Sequence, residues 1–135
     1  MDGDGNIALR TPDCTQTILP TSLGYKSDMT NVEWATHFSS LQNIITTFPV
    51  TPVDVLESGN QVTIWARGCA HFRTNLRMPG SVSYWPTTFE NEYIFVLSFD
   101  ETGQKIKKIL EMVDSASLEK IRPFLVEMRS AAAKS

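Results

Sequence analysis

Helical periodicity early in the chain, alternating strands in its middle and a second helical stretch at its end mark an α+β sequence with segregated elements. The 135 residues leave room for one domain, residues 1–135. Apolar residues make up 41%, aromatics 10% and charged residues 20%, a balance that supports a packed core and excludes a disordered chain. No repeat or low-complexity linker interrupts it.

Residues 6–50 read as helix and loop. Ile7 to Leu9 end a short helix, which Thr11-Pro12-Asp13 stops, and Ile18-Leu19-Pro20 and Ser22-Leu23-Gly24 read as connections. Thr30-Asn31-Val32-Glu33 is a capping box. Behind it Trp34, Phe38, Leu41, Ile45 and Phe48 recur in steps of 4, 3, 4 and 3, an apolar stripe on a helix ended by Pro49. The stripe reads as core, with His37 at its border and not as a ligand.

Residues 51–114 read as β. A two-residue turn at Gly59-Asn60 pairs Ser58 with Gln61 and sets Val55 against Ile64, with Val53, Val62 and Ala66 on the same face. Thr63, Trp65, Arg67, Cys69 and His71 take the other face. Residues 89–99 and 104–114 form a second hairpin around Glu101-Thr102-Gly103, with Gly103 left-handed. Asp100 then pairs with Gln104, which places Tyr93 opposite Glu111 and Asn91 opposite Val113. Between the hairpins, residues 72–88 form a long loop of the kind that serves as a lid or binding loop. A C-terminal helix begins near Ser117, with Pro123 early in it. A curved antiparallel sheet wrapped around the long helix makes a cone with an internal pocket.

The net charge of −3 and a pI near 5.3 argue against a basic surface for nucleic acid. The longest apolar run, Tyr93 to Leu97, is far short of the ~20 residues that span a bilayer. Cys14 and Cys69 are too few for a disulfide framework, and Met1-Asp2-Gly3-Asp4-Gly5 is unlike a signal peptide, so a cytoplasmic protein with reduced thiols is expected. With His37 and His71 as its only histidines and no Cys-x-x-Cys, the chain offers no zinc motif. A glycine-rich phosphate loop and a Gly-x-Ser-x-Gly elbow are also absent.

Glu111 is the leading candidate for chemistry. It shares a strand face with apolar Ile109 and Val113, and desolvation there raises a carboxyl's pKa toward the range useful for general acid or base work. Tyr93 supplies a phenol for a substrate oxygen or for the carboxylate. A buried Glu–Tyr hydrogen bond without catalysis is the alternative. Taken alone, Arg10 reads as an exposed side chain or a partner for Asp13. Asp114 reads as a helix cap. The Arg67, Cys69, His71 row reads as a polar sheet face.

Leu9-Arg10-Thr11-Pro12-Asp13-Cys14, Ile18-Leu19-Pro20 and Ser22-Leu23-Gly24 resemble the opening of fungal SnoaL-like proteins. So do Asn91-Glu92-Tyr93 with Phe95-Val96-Leu97, and Lys105-Ile106 followed by Glu111-Met112-Val113-Asp114-Ser115. The match runs from about Asn6 to Ser117. It resembles the small isomerases and cyclases of fungal meroterpenoid, indole alkaloid and xanthone pathways. The resemblance implies a nuclear transport factor 2-like, cystatin-like cone, a homodimer joined through the outer sheet face, and acid–base catalysis without a cofactor. It places Arg10, Tyr93 and Glu111 in the pocket as catalytic residues, with Asn91, Phe95 and Trp65 as candidates for substrate binding. In four places the chain departs from the pattern. Only nine residues precede Arg10, so the helix the family usually has there is expected to be truncated or absent; Gln16 stands where relatives often carry His, Phe89 replaces a tyrosine, and the 72–88 loop looks longer than usual.

The expected function is a cofactor-independent isomerase or cyclase acting on a small polycyclic substrate. Glu111 would be the acid or base, and Tyr93 and Arg10 would polarise a carbonyl or enolate oxygen. One rival is a dehydratase or hydrolase on the same fold. Another is a non-catalytic ligand-binding or dimerisation module, whose pocket would be closed by side chains.

Overall fold

The computed structural model describes residues 3–76 and 85–134. Helix α1 spans Gly3–Ala8 and runs directly into strand β1, Arg10–Leu19. Helix α2, Asn31–Gln42, is followed by β2, Ile45–Thr47, β3, Val50–Ser58, and β4, Gln61–Phe72. Strands β5, Thr88–Phe99, and β6, Ile106–Val113, lead into the long helix α3, Ser115–Lys134. The six strands form one curled sheet in the order β1-β6-β5-β4-β2, with β3 also paired to β4. All pairs are antiparallel except β1 with β6, so the sheet is mixed and not wholly antiparallel as expected.

Strand β1 is the main departure from the expected loop. Pro12 and Asp13 suggest a break, but they fall where the register shifts between Arg10↔Ile106 and Thr15↔Lys108. A bulge on an edge strand tolerates proline, because no ladder hydrogen bond is asked of it. Gln16 and Met29 exchange backbone hydrogen bonds at 2.9 and 2.8 Å, which partly covers the outer edge of this strand.

Helix α2 starts as predicted. Thr30 accepts from the Glu33 amide, and the Glu33 carboxylate accepts from the Thr30 amide. It ends at Gln42, short of the expected Pro49. The run Ile44-Ile45-Thr46-Thr47 is β-branched and pairs with the end of β4 (Ile45↔Phe72, Thr47↔His71). Helix α3 begins two residues earlier than expected, because the Asp114 side chain accepts from the Ala116 and Ser117 amides. Pro123 therefore lies well inside α3, on its exposed side, where it removes one helical hydrogen bond.

The first hairpin has the expected register, with Ser58↔Gln61, Val55↔Ile64 and Gly59 at φ +58°. A register shift between Pro52 and Asp54 corrects one detail: Pro52 faces Ala66, and Val53 is left outside the ladder. In the second hairpin the closing pair is Asp100 with Lys105, at 2.8 Å, and not Asp100 with Gln104. The Asp100 carboxylate accepts from the Thr102 amide and hydroxyl, which favours the wider turn, and Gly103 is left-handed at φ +73°. A further shift between Ser98 and Phe99 brings the total slip to two, so that Tyr93 lies opposite Val113 and Phe95 opposite Glu111. A slip of two preserves the face, and Tyr93 and Glu111 still point into the same concavity.

Two apolar clusters close the sheet against its helices. Ile44, Ile45, Ala70, Phe72 and Trp85 pack with Ile121 and Met128 of α3. Ile18, Leu23, Met29 and Val113 form the other, with Tyr25 and Tyr93 against it. Between them the concave face is left open. Residues 77–84 of the 72–88 loop lie outside the described residues.

Candidate active site

The open concave face is a cavity of about 460 Å³, walled by β1, β3, β4, β5, β6, α2 and α3. Its lining is mostly apolar and aromatic, with Trp34 and Phe38 from α2 facing Phe89, Tyr93 and Phe95 from β5. Tyr93 packs parallel to Phe95, with ring centroids 5.7 Å apart, and edge-on to Phe48 at 5.8 Å. Gly68 makes this possible: a Cβ there would lie 2.8 Å from Phe48 Cζ and 3.0 Å from Tyr93 Cε2.

Into this apolar space projects a polar chain of contacts. Arg10 Nη2 donates to Gln16 Oε1 at 2.6 Å, and Gln16 Nε2 donates to Glu111 Oε1 at 2.7 Å. The amide of Gln16 is thereby fixed in orientation, its oxygen toward the cation and its nitrogen toward the carboxyl. Arg10 is 5% exposed, lies 4.2 Å from the centroid of the Trp34 ring and donates from Nε to Asn6 at 2.8 Å. Its Nη1 is buried without a partner among the described residues. Glu111 Oε2 likewise makes no hydrogen bond among them.

Burial is the dominant force on Glu111 and raises its pKa to about 7, while the Gln16 hydrogen bond and the Arg10 charge pull it down. A carboxyl so poised is populated in both protonation states near neutrality. Burial, then the Glu111 charge and Tyr25, push the Tyr93 phenol well above its ordinary value, so it stays a neutral donor. Burial also lowers the Arg10 pKa, against the opposing pull of Cys14 and Glu111. Among the described residues no three His, Cys, Asp or Glu side chains cluster as a metal site would need. No helix there is long and apolar enough to cross a membrane.

The fold has known counterparts. The structure aligns with BvnE pinacolase from Penicillium brevicompactum (TM-score 0.75, 23% identity, 96% of this chain and 80% of that one). It aligns with PrhC from Penicillium brasilianum (TM-score 0.74, 18% identity, 96% and 82%). A nuclear transport factor 2-like protein of unknown function from Burkholderia pseudomallei aligns with a TM-score of 0.68 at 15% identity, over 89% and 84%. The chain has the nuclear transport factor 2-like fold. In sequence, the chain is 28% identical over 117 residues to the austinoid biosynthesis cluster protein H of Aspergillus calidoustus, covering 87% of this chain and 75% of that one. No family model matches it.

The cone brings together Arg10, Tyr93, Glu111, Asn91 and Phe95, five of the six expected site residues. Asn91 is a lining residue with its amide already engaged, Nδ2 donating to the Asp114 carbonyl at 3.3 Å and Oδ1 accepting from the Glu92 amide at 2.9 Å. It ties β5 to the start of α3. Trp65 is a correction. It lies on the convex face, 37% exposed, and its indole donates to Glu92 at 2.9 Å. Its neighbours Ile64 and Ala66 take the concave side, so strand alternation excludes it. His71 is on the convex face as expected, exposed to solvent.

Sequence reasoning did not assign Gln16, Tyr25, His37 or Arg129 to the site, and all four line the cavity. His37 is one helical turn beyond Trp34 on the same face, a spacing that could have placed it. Gln16 depends on β1, and nothing in a Thr-Pro-Asp-Cys-Thr run announces a strand.

Proposed function

We propose that this protein is a cofactor-independent isomerase or cyclase that works by acid–base catalysis on a polycyclic natural-product intermediate, of meroterpenoid, alkaloid or xanthone type. The observation that carries this reading is Glu111: a carboxyl poised near pH 7 inside an aromatic cavity of about 460 Å³. That volume falls in the range of small-molecule sites, and a closed, purely structural core would not leave it open. Two similar proteins support this reading, one named as a pinacolase and one as an austinoid biosynthesis cluster protein.

Glu111 takes a proton from one substrate atom, or gives one, and returns or recovers it at another. Such a rearrangement conserves atoms and electrons and calls for no external reductant or oxidant. Tyr93 donates to the substrate oxygen on which charge develops. Arg10, held on Gln16 and Asn6, acts chiefly by positioning: it fixes the amide that fixes Glu111. Its buried Nη1 keeps a donor in reserve.

The Glu111→Gln variant keeps the volume and a hydrogen-bonding group but cannot exchange a proton. It is expected to fold normally and to turn over the pathway intermediate at least about a hundredfold more slowly, the range for a lost general acid or base. Unchanged turnover by a folded variant would refute the role.

A further inference from the structure

The Arg10–Gln16–Glu111 chain is one polar region of the cavity wall. A second is formed by Tyr25, in the segment before α2, His37 of α2 and Arg129 of α3. The rings of Tyr25 and His37 meet edge-on at 5.5 Å. Arg129 lines the cavity while remaining exposed, which puts it at the rim. Burial, and then the charge of nearby Arg129, lower the His37 pKa. Unlike Arg10, Gln16 and Glu111, these three side chains are not hydrogen-bonded to one another. Neither the phenol, the imidazole nor the guanidinium has a hydrogen-bond or ion-pair partner among the described residues. The carboxylates that share helix α3 with Arg129 are engaged elsewhere, Glu119 with Arg122 and Glu127 with the Trp85 indole.

A guanidinium fork, a phenol O–H and an imidazole N–H are all donors, and together they complement an anionic, planar acceptor. Tyr25 and Tyr93 pack against the same apolar cluster, so the two polar regions are joined along one wall with Tyr93 between them. We propose that Tyr25, His37 and Arg129 form a carboxylate-binding subsite at the cavity rim, and that the substrate is accordingly an acid. Its apolar body lies on the aromatic wall and its reacting atoms reach Glu111. This inference rests on the reading of the cavity as a substrate site and adds the substrate's chemical class.

The test compares 2-naphthoate with the neutral 2-naphthamide by calorimetric titration at pH 7.5, with no turnover required. The full chain is expected to bind the acid about tenfold more tightly than the amide, the scale of one charge-assisted pair. Arg129→Gln, at an exposed helix position, should weaken naphthoate binding far more than naphthamide binding and so abolish that preference. Tyr25→Phe, which removes only a hydroxyl, should weaken it about threefold, an effect that a diffuse positive field would not show. Absence of a preference in the natural chain would overturn the proposal. So would a preference that survives Arg129→Gln and disappears in Arg10→Gln, or one indifferent to Tyr25→Phe. An inactive Glu111→Gln enzyme without carboxylate preference would leave the catalytic reading standing and remove this one alone.

Discussion

At Glu111 two forces oppose each other: the apolar cavity disfavours the ionised carboxylate, and the Gln16 amide with Arg10 behind it favours it. The balance near pH 7 belongs to the trio and not to the glutamate alone. Replacing Gln16 by Leu removes the hydrogen bond that lowers the pKa and leaves burial unopposed except by Arg10. The Glu111-dependent limb of the pH–rate profile should therefore move to higher pH, and a limb that stays in place would show that Gln16 is a bystander. Glu111 was legible because an acid between Ile109 and Val113 on one strand face breaks an otherwise apolar row. Gln16 was not, because its meaning depends on a parallel pairing with β6, ninety residues away in sequence, that no local pattern encodes.

At the scale of elements, local chemistry decided what could be read. The capping box at Thr30 and the tight turn at Gly59 carry their own signals, and both elements start where those signals place them. The end of α2 carries a misleading one: Ile45 and Phe48 continue the helical spacing of Trp34, Phe38 and Leu41, yet Ile44 to Thr47 is β-branched and finds a strand partner. The second hairpin differs by a side-chain choice, because Asp100 satisfies two donors of Thr102 and widens the turn. In β4, Gly68 has a role visible only in three dimensions. Gly68→Ala should cost about 1–3 kcal/mol in chemical denaturation, as overpacking does, and should lower turnover by displacing Tyr93. A fully stable and fully active Gly68→Ala protein would mean that Phe48 and Tyr93 yield freely and that the wall is not preorganised.

For the whole molecule, the curled sheet divides its labour between two faces. The concave face makes the cavity. On the convex face Trp65, Ile94 and Met112 pair side by side across β4, β5 and β6, between 37% and 42% exposed. We propose that a second copy of the chain covers this row in a two-fold homodimer, a contact that needs one self-complementary patch. Sedimentation should give twice 15.1 kDa for the natural chain and a single chain for Ile94→Lys. A natural chain that sediments as a monomer, or a dimer that Ile94→Lys leaves intact, would contradict it. The cavity itself makes the larger claim, that an apolar cone holds one carboxyl ready to gain or lose a proton near neutrality. Titration of the Glu111 side-chain carboxyl by carbon-13 NMR, assigned with Glu111→Gln, tests that claim most directly. A midpoint of about 7, protonated below and ionised above, is the result predicted. A midpoint near the ordinary glutamate value of about 4.3 would contradict it.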